Sequence, residues 1–217
     1  MRIRDRKPCP FFLVKTMRRE FINSIISNQP AFGLAVSSEV IERLADYYEV
    51  VQKHNDLLHL VAPCAAEEFA IRHVLESLLL LNYLNEDTGF ADVGSGAGLP
   101  SIPCLIMRSD LSATLIESKL KKSGYLDDAL TELGLSQRAT VINRQFEEVE
   151  EKNFGVVTCR ALDKFTDKLP RLLKWSGKRK KVFFGGPALR DALNRQKLRF
   201  DERLIPLSEQ RFIFSVS

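Results

Sequence analysis

A chain of 217 residues with 45% hydrophobic and 28% charged side chains is long enough to bury its own core and too apolar to stay disordered. Its longest apolar stretch, Val74 to Leu81, is broken by Glu76 and Ser77, which excludes a bundle of membrane spans. The net charge of +4 permits a nucleic-acid partner without demanding one.

The four cysteines, Cys9, Cys64, Cys104 and Cys159, are widely spaced and stand apart from the histidines. Neither a disulfide framework nor zinc-site spacing emerges. Reduced thiols in a metal-free cytoplasmic protein are the expectation. Residues 1–20 are basic and interrupted by Pro8 and Pro10, with Met17 offering a second start. They read as a flexible tail rather than a secretory signal.

Residues 21–84 read as a helical cap. Phe21, Ile22, Ile25 and Ile26 follow the helical period. Ser37 or Ser38 caps the next helix, whose apolar stripe is Val40, Ile41, Leu44, Tyr47, Tyr48 and Val51. A third helix spans Ala66 to Tyr83. Residues 85–217 then alternate between strand and helix. Strands are predicted at Phe90–Val93, Ala113–Ile116, Thr140–Ile142, Gly155–Cys159 and Lys181–Phe184. Helices are predicted at Lys119–Leu133, closed by Gly134, at Asp163–Trp175 and at Ala188–Lys197. Two closely spaced strands, Glu202–Ile205 and Arg211–Val216, suggest a terminal hairpin. The alternation implies a Rossmann-like α/β fold, its sheet mostly parallel with one antiparallel edge strand, under a helical N-terminal cap.

The most informative segment is Asp92-Val93-Gly94-Ser95-Gly96-Ala97-Gly98-Leu99-Pro100, between a strand and a helix. Glycines there allow a sharp turn and a close ligand approach. The spacing is G-x-G-x-G, whereas nicotinamide-type sites read G-x-G-x-x-G. Glu117 ends the next strand, 19 residues after Gly98, where a carboxylate can accept both hydroxyls of a ribose.

This arrangement resembles class I S-adenosylmethionine-dependent methyltransferases. Within them, Asp92 to Pro103 is similar to the signature of the GidB (RsmG) family of 16S rRNA guanine-N7 methyltransferases. Four further segments agree in order: Arg72-His73 with Glu76-Ser77, Glu117-Ser118-Lys119 with Lys121-Lys122, Phe146-Glu147-Glu148, and Cys159-Arg160-Ala161. The resemblance covers roughly Tyr47 to the C-terminus. It implies a site for S-adenosylmethionine lined by Asp92, Gly94, Ser95, Gly96, Gly98, Leu99, Glu117, Ser118, Phe146, Glu147 and Arg160. Asp92 would hold the cofactor's amino group, Glu117 its ribose, and Phe146 with Glu147 its adenine. Arg160, Arg72, His73 and Asn55 are the implied catalytic residues.

The substrate implied is ribosomal RNA or the small ribosomal subunit, met by a monomer away from any membrane. Lys119, Lys121, Lys122, Lys178 and Arg179 are candidate phosphate contacts. Two segments depart from the family. Its aromatic-Asn…Asn-Leu-Thr reads His54-Asn55…His59-Leu60-Val61, and where it has Leu-Lys-Gly after the fifth strand this chain has Phe183-Phe184-Gly185-Gly186-Pro187, without the lysine. Two alternatives follow: a methyltransferase for a small molecule or protein, and a non-catalytic cofactor-binding scaffold.

Overall fold

The computed structural model describes residues 10–86, 88–150 and 153–216. The tail expected over residues 1–20 is helical from Pro10 onward, and residues 1–9 lie outside the described part. Helix α1 runs over Pro10–Asn28. Proline is tolerated in a first helical turn because its missing N–H has no partner there. Arg18 anchors this helix, its guanidinium 2.7 to 2.9 Å from the carboxylates of Glu42, Asp46 and Glu49 on the next helix.

Helix α2 covers Ser38–Leu58, with the Ser37 side chain accepting from the Val40 N–H. The third predicted helix forms, but not as a uniform α-helix. It passes from α3 (Ala66–Glu68) through a π-helical segment, Phe69–Leu75, to α4 (Glu76–Leu78), and ends in a 3-10 turn, Leu79–Tyr83.

Strands β1 (Gly89–Val93), β2 (Ser112–Ile116), β3 (Ala139–Ile142), β4 (Val156–Arg160) and β5 (Lys180–Gly185) follow in sequence. Helices α5 (Ser101–Met107), α6 (Leu120–Glu132), α7 (Phe165–Ser176) and α8 (Pro187–Arg195) connect them. The chain ends in the hairpin β6 (Phe200–Leu204) and β7 (Phe212–Val216).

The seven strands lie in the order β3-β2-β1-β4-β5-β7-β6. The first five pair in parallel, and β7 is antiparallel to both its neighbours. The antiparallel strand predicted at the edge therefore sits one place inside it. β6 takes the edge because the hairpin inserts its second strand beside β5.

Alternation along each strand divides the core in two. Phe90, Leu115, Val156, Val182 and Phe184 join a cluster with the cap helices, α5 and α6. Ala91, Ile116, Val157, Cys159 and Phe183 join α7 and α8 on the other face. The connections after β1 and β4 thus leave for opposite faces. The crevice between these strands, at their carboxyl ends, is where an open α/β sheet accepts a ligand.

Candidate cofactor and substrate site

The glycine loop leaves β1 at this crevice. Gly94, Gly96 and Gly98 have φ of +77°, +55° and +89°, backbone that L side chains rarely adopt. Their surroundings differ. A Cβ on Gly94 would lie 2.6 Å from Leu162, and one on Gly98 2.4 Å from Ile102, whereas one on Gly96 would meet nothing closer than 3.8 Å. Two glycines serve internal packing, and the middle one leaves its backbone open. The N–H groups of Gly94 and Ser95 both donate to the Ile116 carbonyl, at 2.8 and 3.3 Å. From outside, the Ala97 carbonyl accepts from the hydroxyls of Tyr47 on α2 and Tyr125 on α6, at 3.0 and 3.2 Å. Tyr47 reads as a core residue in sequence and Tyr125 is not singled out there, because a hydroxyl used in this way carries no sequence signal.

Two carboxylates flank the loop. Asp92 is fully buried. Its Oδ2 accepts from Ser101 Oγ at 2.7 Å, while its Oδ1 is buried without a protein partner among the described residues. Burial, the largest influence, pushes its pKa up to about 7 against the hydrogen bonds from Ser101 and Ser95. Glu117 Oε2 accepts from Gly96 N–H at 3.1 Å and Oε1 from Lys119 N–H at 2.8 Å. Asn143 donates to the Glu117 carbonyl at 2.9 Å, fixing the strand end. Each Glu117 oxygen keeps a further lone pair for a hydroxyl. An unpaired buried acceptor is costly and marks a group awaiting a donor. A ligand with a cationic head and a vicinal diol matches the pair, which is the chemistry of S-adenosylmethionine.

Arg160 closes the other side of the crevice, at the end of β4. It donates to the carbonyls of Arg72 and His73 and, at 3.0 Å, to Ser77 Oγ. Its guanidinium lies 3.4 Å from Glu76, whose other oxygen is 2.7 Å from Arg211. The π-helical turn explains why those carbonyls are available. There the Glu76 N–H reaches back five residues to Ile71, so the widened ladder leaves acceptors for a guanidinium. Arg160 thus braces the cap helix at this side of the crevice. Arg211, which the sequence alone does not single out, shares its carboxylate partner. Half-buried His73 is held neutral, its pKa brought down to about 3 by burial first and then by Arg160, Arg72 and Arg211. Arg72 is exposed and pairs with Glu68.

Several implied contacts fall elsewhere. Phe146 is buried against Trp175, ring centroids 5.7 Å apart. It follows β3 at the carboxyl end of the sheet and packs into the core beneath α7. Glu147 pairs with Arg171 at 3.0 Å. Leu99 and Ser95 are buried in the loop's own packing, and Ser118 is exposed beside Glu117. Asn55 Oδ1 accepts the Val61 N–H at 2.9 Å, organising the turn after α2. Lys119 and Lys121 are exposed near the crevice, whereas Lys122 donates to the His59 carbonyl at 3.0 Å. Lys178 and Arg179 precede β5, so they lie at the amino end of the parallel strands, opposite the crevice.

The two departures from the family pattern are legible in the backbone. His59, in place of asparagine, caps α2 with φ of +47°, a left-handed conformation in which asparagine and histidine are both enriched. At Gly185, a Cβ would lie 2.6 Å from Leu189, so this chain fills with leucine the space beside the backbone.

The strand order, the open glycine loop and its two acids define a class I methyltransferase site. Comparison with known proteins narrows the class. The family model for GidB, rRNA small subunit methyltransferase G, matches residues 40–197. The ribosomal RNA small subunit methyltransferase G of Neisseria meningitidis serogroup C is 34% identical over 147 residues, covering 68% of this chain and 69% of the relative. That of Halorhodospira halophila is 32% identical over 154 residues, 71% of each chain. Among solved structures, ribosomal protein L11 methylase from Lactobacillus delbrueckii subsp. bulgaricus superposes with a TM-score of 0.55 at 15% identity, over 67% of this chain and 78% of that one. TYW2 from M. jannaschii in complex with AdoMet gives 0.51 at 15% identity, over 66% and 74%. These two show the fold. The chain belongs to the rRNA small subunit methyltransferase G family.

Among the described residues, no helix is long and apolar enough to cross a membrane, and no three His, Cys, Asp or Glu side chains are grouped as metal ligands.

Proposed function

We propose that this chain transfers the methyl group of S-adenosylmethionine to N7 of a guanine in the RNA of the small ribosomal subunit, in the cytoplasm. The observation that carries the reading is the buried Asp92 Oδ1, without a partner among the described residues, in the same loop whose open Gly96 N–H is held by Glu117. The family supplies the substrate.

When bound, S-adenosylmethionine would supply the activated methyl group and be left as the neutral thioether. The residues of the chain bind and orient. Asp92 holds the ammonium, Glu117 the ribose hydroxyls, and the Gly96 backbone allows close approach. Guanine N7 bears a lone pair and no proton, so no general base is needed and proximity carries the rate.

The test is transfer of labelled methyl from S-adenosylmethionine to small ribosomal subunits lacking the modification. Label recovered as 7-methylguanosine in nuclease digests of the RNA is expected. Label in protein or small molecules would overturn the substrate. Cofactor binding without any transfer would make the chain a scaffold.

A further inference from the structure

The glycine loop is held by the cap as well as by its own turns. Two phenol hydroxyls reach the same atom of it. Tyr47 Oη donates to the Ala97 carbonyl at 3.0 Å, and Tyr125 Oη to the same oxygen at 3.2 Å. One comes from the middle of α2 in the N-terminal cap, the other from α6, which follows β2. Both tyrosines are buried, as is Ala97. A carbonyl oxygen has two lone pairs, so these donors fill it. Burial, the largest influence on both phenols, pushes them up from their ordinary pKa, so each stays protonated and able to donate.

The two helices that carry the phenols are themselves joined. The His54 and Tyr125 rings meet edge to face with centroids 5.3 Å apart, the Lys122 ammonium lies 3.0 Å from the His59 carbonyl, and Lys53 is 3.3 Å from Glu132. Around Ala97 the loop is pinned in succession. Glu117 Oε2 holds the Gly96 N–H at 3.1 Å, the phenols hold the Ala97 carbonyl, and the Ser95 carbonyl holds the Gly98 N–H at 2.7 Å. The Ala97–Gly98 peptide therefore cannot turn over without losing three hydrogen bonds. The glycines on either side of Ala97 would otherwise make that turn cheap.

We propose that Tyr47 and Tyr125 are positioning residues, a clamp that holds the glycine loop in its cofactor-accepting conformation through the Ala97 carbonyl. The inference rests on the methyltransferase reading and adds a means by which the cap sets cofactor affinity. A loop already fixed in its bound form spares the ligand the entropy of ordering it. Without both donors the buried carbonyl is left unsatisfied, which costs at least as much as the hydrogen bonds contributed. The peptide then turns in search of a partner, and Gly96, held by Glu117, is displaced with it. The same helix supplies a control. Tyr48, the next residue, is equally buried, yet its hydroxyl has no hydrogen-bond partner among the described residues.

The experiment compares Tyr47→Phe, Tyr125→Phe, the double variant and Tyr48→Phe with the wild type. S-adenosylmethionine affinity is read by calorimetric titration, stability by the thermal midpoint, and KM and kcat by methyl transfer to small ribosomal subunits lacking the modification. Tyr47→Phe and Tyr125→Phe are each expected to weaken the cofactor about threefold, since the other phenol still serves the carbonyl. The double variant should lose at least about thirtyfold, more than the product of the two singles, as residues sharing one acceptor do. Its KM for S-adenosylmethionine should rise by the same factor while kcat at saturating cofactor stays within about twofold, because lost preorganisation weakens ground and transition state alike. Tyr48→Phe should leave affinity, KM and kcat at wild-type values. A lower thermal midpoint in the double variant with unchanged cofactor affinity would overturn the clamp and leave the phenols as core hydrogen bonds. So would an equal loss of affinity in Tyr48→Phe. If the double variant does not fold, the singles decide, and unchanged affinity in both overturns the proposal. A wild type that bound no S-adenosylmethionine would instead bring down the proposed function itself.

Discussion

At the carboxyl end of the sheet, Lys119 and Lys121 are exposed beside the glycine loop, and Asp92 keeps an oxygen without a partner. At the amino end three cations are spent on the fold. Arg179 donates to the Phe154 carbonyl at 3.0 Å and covers its ring at 5.3 Å. Arg138 donates to the carbonyls of Leu111 and Leu105 at 3.0 and 2.8 Å, and the Lys180 ammonium reaches the Tyr83 carbonyl at 3.1 Å. These cations cross-link backbone acceptors that would otherwise be left at loop ends. The same residue types therefore stabilise one end and serve a ligand at the other. The difference lies in whether the backbone around them has already satisfied them.

The contrast is broken most directly at Gly96. Gly96→Arg places a side chain in open space at φ of +55°, a strain of about 1–2 kcal/mol. The protein should stay folded while its affinity for S-adenosylmethionine falls by about 100-fold or more, read by calorimetric titration. Gly98→Ala is the internal control, because its Cβ would lie 2.4 Å from Ile102. It should lower stability by about 1–3 kcal/mol through overpacking, seen in the denaturation midpoint. A folded Gly96→Arg protein with unchanged affinity would remove the cofactor from this loop.

Glu117→Ala should weaken the cofactor by more than about tenfold, or 1.4 kcal/mol. Glu117→Gln, which keeps an acceptor for the Gly96 N–H, should retain part of that affinity. A loss below twofold in both would make Glu117 a strap for the loop and nothing more.

Sequence reading reached the cofactor half more fully than the substrate half, and the reasons are physical. The glycines and acids of the loop act through local backbone constraints, so their spacing survives in one dimension. Tyr47 and Tyr125 act through long-range contacts to a single carbonyl, and nothing in an amphipathic helix marks a tyrosine whose hydroxyl is used. Phe146 matches a family segment, yet its burial against Trp175 follows from three-dimensional packing. The basic run around Lys178 is visible in sequence, but its end of the sheet is fixed only once β5 is known to be parallel. The helix Ala66–Tyr83 was legible by period, while its π-helical turn, met by Arg160 from 83 or more residues away, was not. The tail failed at Pro10, since proline starts helices as readily as it breaks them.

Asp92 links stability to function with opposite signs. Burial holds its pKa at about 7, above the ordinary carboxylate value of 3.8. Between those values the native state binds more protons than the unfolded chain, so stability should fall as pH rises from about 4 to 7 and then level off. Cofactor affinity should do the reverse. It should rise by up to about tenfold per pH unit below 7, because a protonated Asp92 offers an ammonium no charge, and flatten above it. Asp92→Asn should abolish both trends, raising the thermal midpoint at pH 8 while weakening S-adenosylmethionine. Titrations at pH 5.5, 6.5 and 8 decide the matter, and a pH-independent affinity in the wild type would detach Asp92 from the ammonium.

The smallest effect is expected at the amino end, where it should be confined to stability. Arg179→Ala removes the hydrogen bonds to Phe154 and Ser176 and the guanidinium over the Phe154 ring. A loss of about 1–2 kcal/mol is expected from the orphaned carbonyls, read in urea denaturation. The salt slope of rRNA binding should stay at the wild-type value, because this guanidinium is engaged by the protein and faces away from the crevice. A drop of about 1 in that slope would show RNA reaching around the sheet to its amino end. The division between a structural and a functional end would then hold for the cofactor but not for the substrate.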